Sequence, residues 1–163
     1  MAERLFGTNG VRGVINKDMN VQLAMDLGKA IGTFMGGQVA VGNDSRTSAT
    51  MIKSAVSAGI MSAGSDVLDL GLVPTPVVQH YVKNNGLAGG VMITASHNPP
   101  EFNGIKCVDS DGTEMPRTKE EEIERLYFSK SFRTMDWRGV GDLRQATGAV
   151  DDYLGSVKRL VDA

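Results

Sequence analysis

Helical and strand-like spacings of apolar residues alternate along this chain. From Val21 to Met35, the residues Leu23, Leu27, Ala30, Ile31 and Phe34 recur at the intervals of an amphipathic helix, with Asn20 placed to cap it and Gly36-Gly37 to stop it. "QVAVGND" follows, a short valine-rich run that gives way to glycine and polar residues, as a strand does. A second helix starts at "SRTS", places Ile52, Ala55, Val56, Gly59, Ile60 and Ala63 on one face, and closes at Gly64. "DVLDLGLVP" reads as the next strand. Thr75 and Pro76 are the expected cap and first residue of a third helix, whose Val77, Val78, Tyr81 and Val82 face inward until "NNG" ends it.

"LAGGVMITAS" is apolar without alternation, the pattern of a strand covered on both faces. "GIKCVDSDG" predicts a strand paired close by and ending in a tight Asp-Gly turn. "TKEEEIERL" predicts a mostly solvated helix with Thr118 and Glu121 as a capping box. The stretch from Ser131 to Thr147 is less regular, and Trp137 is its expected anchor. A last helix is predicted over Ala149 to Val161, with acids early and bases late to suit its dipole.

This alternation predicts the α/β class: one three-layer αβα domain over residues 1–163, built on a mixed, mostly parallel sheet. Ligands of such sheets sit beyond the carboxyl ends of the strands. "GNDSRTS", "GLVPTP" and "TASHNPP" are therefore expected to converge on one edge. The sequence stops about a turn after its last helix, as a piece cut from a longer protein would, and as a short natural protein could too.

Composition narrows the partners. The 17 Lys+Arg and 19 Asp+Glu give a net charge of −2, and no basic block is present to bind a nucleic acid backbone. The single cysteine, Cys107, excludes an internal disulfide, and with only His80 and His97 beside it no common zinc cluster can form. A reduced, cytoplasmic setting is expected. There is no membrane-spanning apolar run and no secretory signal, so neither a membrane nor a nucleic acid is an expected partner. Glycine is the departure from the ordinary: 20 of 163 residues is about 12%, against roughly 7% in average proteins. Backbone that turns tightly or approaches another group closely uses glycine in this way.

Candidate chemistry centres on Ser96. It follows a predicted strand and precedes Asn98-Pro99-Pro100, whose prolines fix the chain and remove backbone donors. Alone, the Ser-His pair reads first as an ordinary turn, since short motifs recur by accident. A serine hydrolase is disfavoured: there is no G-x-S-x-G elbow, and an adjacent histidine is not expected to turn back onto the serine before it. Phosphoryl chemistry suits the surroundings better. Arg12 in "NGVRG", Arg46 in "NDSRTS" and Lys106 in "NGIK" are cations in glycine-rich or strand-end segments, where phosphate oxygens can be gripped. Each taken alone is more often a surface charge. No nucleotide-binding fingerprint is present. Cys107 reads as a small strand hydrophobe, His80 as a helix-face residue, and Glu120 to Glu122 as a solvated face.

Together, "FGTNGVRG", "VGNDSRTS" and "GVMITASHNPPEFNGIK", at these spacings, resemble the N-terminal domain of the α-D-phosphohexomutases, the group of phosphoglucomutases, phosphomannomutases and phosphoglucosamine mutases. The resemblance covers essentially the whole chain, and the "FGT" opening is most similar to the phosphoglucosamine mutase branch and its archaeal relatives. It implies an intramolecular phosphotransferase of the isomerase class. Ser96 would be a phosphoserine that gives its phosphoryl group to a hexose or hexosamine monophosphate, forms a bisphosphate, and takes a phosphoryl group back, so that phosphate moves between the C1 and C6 oxygens.

By the same resemblance Lys106 is the candidate general acid/base and His97 assists proton movement. Arg12 contacts the phosphoserine region, Asn98 holds the serine loop, and Arg46 contacts phosphate. Mg²⁺ would be bound through a phosphoryl oxygen on Ser96 together with aspartates of another domain, and a hexose 1,6-bisphosphate would act as activator. Family members have four domains. Their "DGDGDR" metal loop and sugar-reading loop lie beyond the first, and neither occurs in this sequence. The implied partners are therefore the remaining domains of the same chain, and the 163 residues by themselves are expected to have negligible mutase activity. The alternative is a stand-alone, non-catalytic domain for anion binding or regulation. The two differ on whether the reading frame continues past Ala163 into "DGDGDR".

Overall fold

Two valine-containing segments that are buried along their whole length, β2 (Val39–Asn43) and β4 (Gly89–Ile93), pair in parallel at the middle of a six-stranded sheet. The computed structural model describes residues 4–161. The remaining strands are β1 (Val11–Val14), β3 (Val67–Leu72), β5 (Phe102–Val108) and β6 (Leu143–Gln145), and the sheet order is β1-β5-β4-β2-β3-β6. β2, β3, β4 and β6 are parallel, while β5 runs antiparallel to both β4 and β1. The sheet is thus mixed and mostly parallel.

Five helices cover it: α1 (Val21–Met35), α2 (Ala49–Ser62), α3 (Thr75–Asn84), α4 (Arg117–Ser129) and α5 (Ala149–Val161). Side chains alternate across a strand, and the two faces of the sheet accordingly carry two cores. Val39 and Val41 of β2 and Val91 and Ile93 of β4 pack with Leu27 and Ile31 of α1, Ile52, Val56 and Ile60 of α2, and Ile123 of α4. On the opposite face Ala40 and Met92 pack with Val77, Val78 and Val82 of α3 and with Ala149 of α5. This is the three-layer αβα arrangement.

Some of the glycine excess serves helix packing. α1 and α2 meet backbone to backbone: a Cβ on Gly28 would stand 2.3 Å from the Val56 carbonyl oxygen, and one on Gly59 would stand 2.2 Å from that of Met25. No side chain fits at either position.

Several local expectations are corrected. The capping box of Thr118 and Glu121 does not form, because α4 begins at Arg117 after an extended Pro116, which puts Thr118 inside the helix, and Glu121 pairs with Arg117 instead. Proline likewise displaces the cap of α3: Pro74 takes the N-cap position, leaving Thr75 and Pro76 as the first helical residues. Trp137 anchors nothing, being 82% exposed. The irregular stretch is tied down by Arg133, whose guanidinium donates to the carbonyls of Ala63 and Gly32 and whose backbone N–H donates to Thr33. α5 has its expected length, but only Ala149 in it is buried, and Leu154, Leu160 and Val161 stand exposed.

Candidate active site

The carboxyl ends of β2, β3 and β4 open into one cleft of about 780 Å³, lined by Asp44 to Thr47, Val73 to Pro76, Thr94, Ser96 and Asn98. The three predicted strand exits therefore do meet on one edge. A second hollow of about 470 Å³ lies on the other side of the serine loop, lined by Thr8, Asn9, Gly10, Arg12, Ser96, His97 and Asn98. Ser96 borders both.

Ser96 sits in a turn closed by a hydrogen bond from the Asn98 N–H to the Ala95 carbonyl, and its φ is 56°. A side chain with a Cβ in this left-handed region costs on the order of 1–3 kcal/mol unless its surroundings hold it there. Three restraints do so. The Ser96 N–H donates to Thr94 Oγ1 at 2.9 Å. Pro99 and Pro100 stiffen the exit from the turn. Arg46 binds the loop's carbonyl oxygens, and Ser96's own is among them at 3.0 Å from Nη2.

The left-handed backbone also overturns one expectation. It brings the Ser96 hydroxyl and His97 Nδ1 to 3.3 Å, so the neighbouring histidine does reach back to the preceding serine. Among the described residues no carboxylate hydrogen-bonds His97, and no acid completes a hydrolytic triad.

Arg12 and Arg46 reach the serine loop from different elements. Arg12 stands on β1 opposite Gly104 of β5. A Cβ on Gly104 would come within 2.9 Å of Arg12 Cγ and 2.7 Å of the Thr94 carbonyl oxygen, so glycine leaves room for the arginine to lie over the strand. Arg12 Nη1 donates to Asn98 Oδ1 at 2.9 Å and to the Ala95 carbonyl at 3.4 Å. Arg46 follows β2, and Asp44 orients it by accepting from its backbone N–H and its Nε. Ser48 does not cap α2 with its side chain; its hydroxyl accepts instead from buried Asn103 of β5.

Lys106 is placed apart from these groups. Its ammonium pairs with Glu114. It lines a separate hollow of about 250 Å³ with Arg4, Gly7 to Asn9, Glu114 and Glu120. The Gly7–Asn9 segment forms a wall common to this hollow and the Arg12–His97 hollow. The expected site residues thus fall into a group of Arg12, Arg46, Ser96, His97 and Asn98 around one loop, with Lys106 behind the opening segment.

Glu124, which sequence reasoning passed over as part of a solvated helix, holds that opening segment. Its Oε1 accepts from the backbone N–H groups of Leu5 and Phe6, both at 2.7 Å, and its Oε2 accepts from Arg117 at 2.6 Å. Burial opposes ionisation of Glu124, but the bonds from Arg117, Phe6 and Leu5 outweigh it and hold the carboxyl below the ordinary glutamate value. Asp44 and Thr94 were also missed. Their signal lay only in their distance from the named residues, two before Arg46 and two before Ser96.

Among the described residues no group of three or more His, Cys, Asp or Glu side chains is placed to hold a metal ion. Asp44, the carboxylate beside the cleft, is committed to Arg46. No described helix is long and apolar enough to cross a membrane.

Residues 3–140 match the family model described as phosphoglucomutase/phosphomannomutase, alpha/beta/alpha domain I. The chain is 44% identical over 162 residues to a phosphoglucosamine/phosphogalactosamine mutase of Sulfurisphaera tokodaii, a match covering 98% of this chain and 36% of that protein. It is 39% identical over 165 residues to a phosphoglucomutase/phosphomannomutase of Thermococcus kodakarensis, covering 98% of this chain and 36% of the relative. Among solved structures, a phosphoglucomutase/phosphomannomutase family protein from Burkholderia thailandensis superposes with a TM-score of 0.80 at 29% identity, over 91% of this chain and 34% of that one. The chain spans about a third of the length of the proteins it matches.

Proposed function

The chain belongs to the phosphoglucomutase/phosphomannomutase family, and from that premise we propose that it is the phosphoserine-bearing domain of a mutase acting on a hexose or hexosamine monophosphate. The observation that carries this reading is the posture of Ser96: a left-handed residue at the carboxyl edge of the sheet, with His97 Nδ1 at 3.3 Å and Arg12 in the same hollow.

A serine hydroxyl is a poor nucleophile at neutral pH, and a phosphorylated serine avoids that difficulty by storing the phosphoryl group between turnovers. When a sugar hydroxyl takes the phosphoryl group, its proton passes to the acid/base, the role the family resemblance gives Lys106, and the P–O bond to Ser96 Oγ breaks, leaving that oxygen with the bonding electron pair. His97 stands where a proton can be supplied to that oxygen and withdrawn again on the return transfer. The Arg12 guanidinium, anchored through Nη1 and with no described hydrogen bond at Nε or Nη2, is available to neutralise phosphate oxygens. Lys106 fits the family's acid/base position, and to reach a substrate it has to leave Glu114.

Among the described residues Mg²⁺ would find one ligand, a phosphoryl oxygen on Ser96, and its carboxylates would come from another domain of the full protein. The same reasoning assigns sugar recognition elsewhere in the full protein and gives the isolated chain no turnover of its own. A hexose 1,6-bisphosphate would charge Ser96. The test is conversion of glucosamine 6-phosphate, glucose 6-phosphate and mannose 6-phosphate by the protein from the uninterrupted reading frame, followed by ³¹P NMR. Production of a 1-phosphate that disappears with Ser96→Ala supports the reading; production that survives the substitution refutes it.

A further inference from the structure

Arg46 invites a phosphate-binding role by its charge and its place at a strand exit, but its hydrogen bonds point elsewhere. Nε donates to Asp44 Oδ2 at 3.2 Å. Nη1 donates to the carbonyl oxygens of Pro99 at 2.7 Å and Phe102 at 3.0 Å. Nη2 donates to those of Ser96 at 3.0 Å and Asn98 at 2.7 Å. Every N–H of the guanidinium is thereby used. The side chain is 13% exposed. A phosphate oxygen could be bound only by giving up a carbonyl of the serine loop.

The loop in turn depends on this one side chain. Four carbonyl oxygens, from Ser96, Asn98, Pro99 and Phe102, converge on a single point, and their aligned dipoles repel unless a donor stands between them. Pro99 and Pro100 offer no N–H to share that task. Only a planar fork of donors fits four acceptors at once; the lysine ammonium has fewer donors and no fixed plane.

We infer that Arg46 is a positioning residue: a clamp that holds residues 96–102 so that Ser96 keeps its left-handed conformation, rather than a ligand for substrate phosphate. The kinetic part of this inference rests on the phosphoserine reading of Ser96; the conformational part does not. The clamp also explains why Asp44 is committed on both oxygens. It fixes the backbone and the Nε of Arg46, and so aims the fork.

The test is Arg46→Lys with two readouts. Hydrogen exchange of the 163-residue chain is expected to speed up over residues 94–103 by at least about tenfold while α1 and β2 stay protected, since only the loop's restraint is lost. In the protein from the uninterrupted reading frame, kcat and phosphorylation of Ser96 by glucose 1,6-bisphosphate are expected to fall roughly 100-fold, the cost of a misplaced reacting group, with KM for the sugar monophosphate little changed. Asp44→Asn, which leaves the guanidinium in place but loosens its aim, is expected to move both readouts the same way by less; it decides the matter if the lysine protein does not fold. Unchanged exchange over 94–103 with a KM raised tenfold or more would overturn the clamp and make Arg46 a phosphate ligand. If wild-type Ser96 takes up no phosphate, the mutase reading fails, and the exchange readout still decides the clamp.

Discussion

The two sides of the serine loop carry an arginine each, and the two are in opposite states. Arg46 is saturated, with every donor spent on the loop's own carbonyls and on Asp44. Arg12 spends Nη1 alone, on Asn98 and Ala95, and faces the hollow shared by Ser96 and His97. Arg12 follows a glycine-rich segment and Arg46 a strand end, and in sequence both read as cations suited to phosphate. What separates them is the geometry of acceptors: a guanidinium surrounded by carbonyls organises backbone, and one with free donors organises a ligand.

The largest expected effect removes what both sides serve. Ser96→Ala should abolish phosphate uptake and lower mutase turnover by at least about 10⁴-fold, as loss of a covalent nucleophile does. Next, Arg12→Met should lower phosphoryl transfer by roughly 10²–10³-fold, the range for one lost charge-stabilising donor. Hydrogen exchange over 94–103 should remain close to wild type in that variant, whereas Arg46→Lys disturbs it. Equal loosening of the loop by both substitutions would erase the distinction.

Gly104→Ala sharpens the comparison from below. A methyl there meets the Thr94 and Val11 carbonyl oxygens and Arg12 Cγ, and should destabilise by about 1–3 kcal/mol in urea unfolding, as overpacking does. Its activity loss should resemble that of Arg12→Met, because Arg12 is the side chain displaced.

Glu124→Gln tests the support of the opening segment. It should cost about 1–3 kcal/mol at neutral pH, the range for charged hydrogen bonds. Glu124 ionises more readily folded than unfolded. Its contribution is therefore complete above the ordinary glutamate value of 4.5 and is lost as pH falls through the lower folded value. Neighbouring Glu120, whose carboxyl burial raises, works in the opposite direction. The variant should thus show a flattened acid-side stability slope in urea titrations between pH 3 and 5, with Asp26, whose carboxyl is also held below its ordinary value, still contributing. The smallest effect expected is at Cys107: burial, with Glu120 adding, pushes its thiol up, so the native protein should resist thiol reagents until it unfolds.

α1, α2, α3 and the central strands were legible because their apolar spacing is dictated by burial, and β2 and β4 are buried at every residue; α5 was legible by its spacing although only Ala149 in it is buried. β1 and β6 were not. β1 has four residues, including a glycine, and exists by pairing with β5; β6 has three, all exposed, and carries no hydrophobic signature. The serine loop was legible as a place, since prolines and a strand end mark it. The division of labour around it was not. The saturation of Arg46 depends on carbonyls up to 56 residues away, and the tether at Glu124 acts across 118 residues to Phe6. Such contacts leave no spacing pattern to read.

The most direct test of the account is peptide mapping by mass of the protein from the uninterrupted reading frame, after incubation with glucose 1,6-bisphosphate and Mg²⁺. The account predicts one phosphate, on the peptide containing Ser96, that is lost when a sugar monophosphate is added. An unmodified Ser96 in a protein that also carries the "DGDGDR" loop would contradict it and return Ser96 to the role of a turn residue.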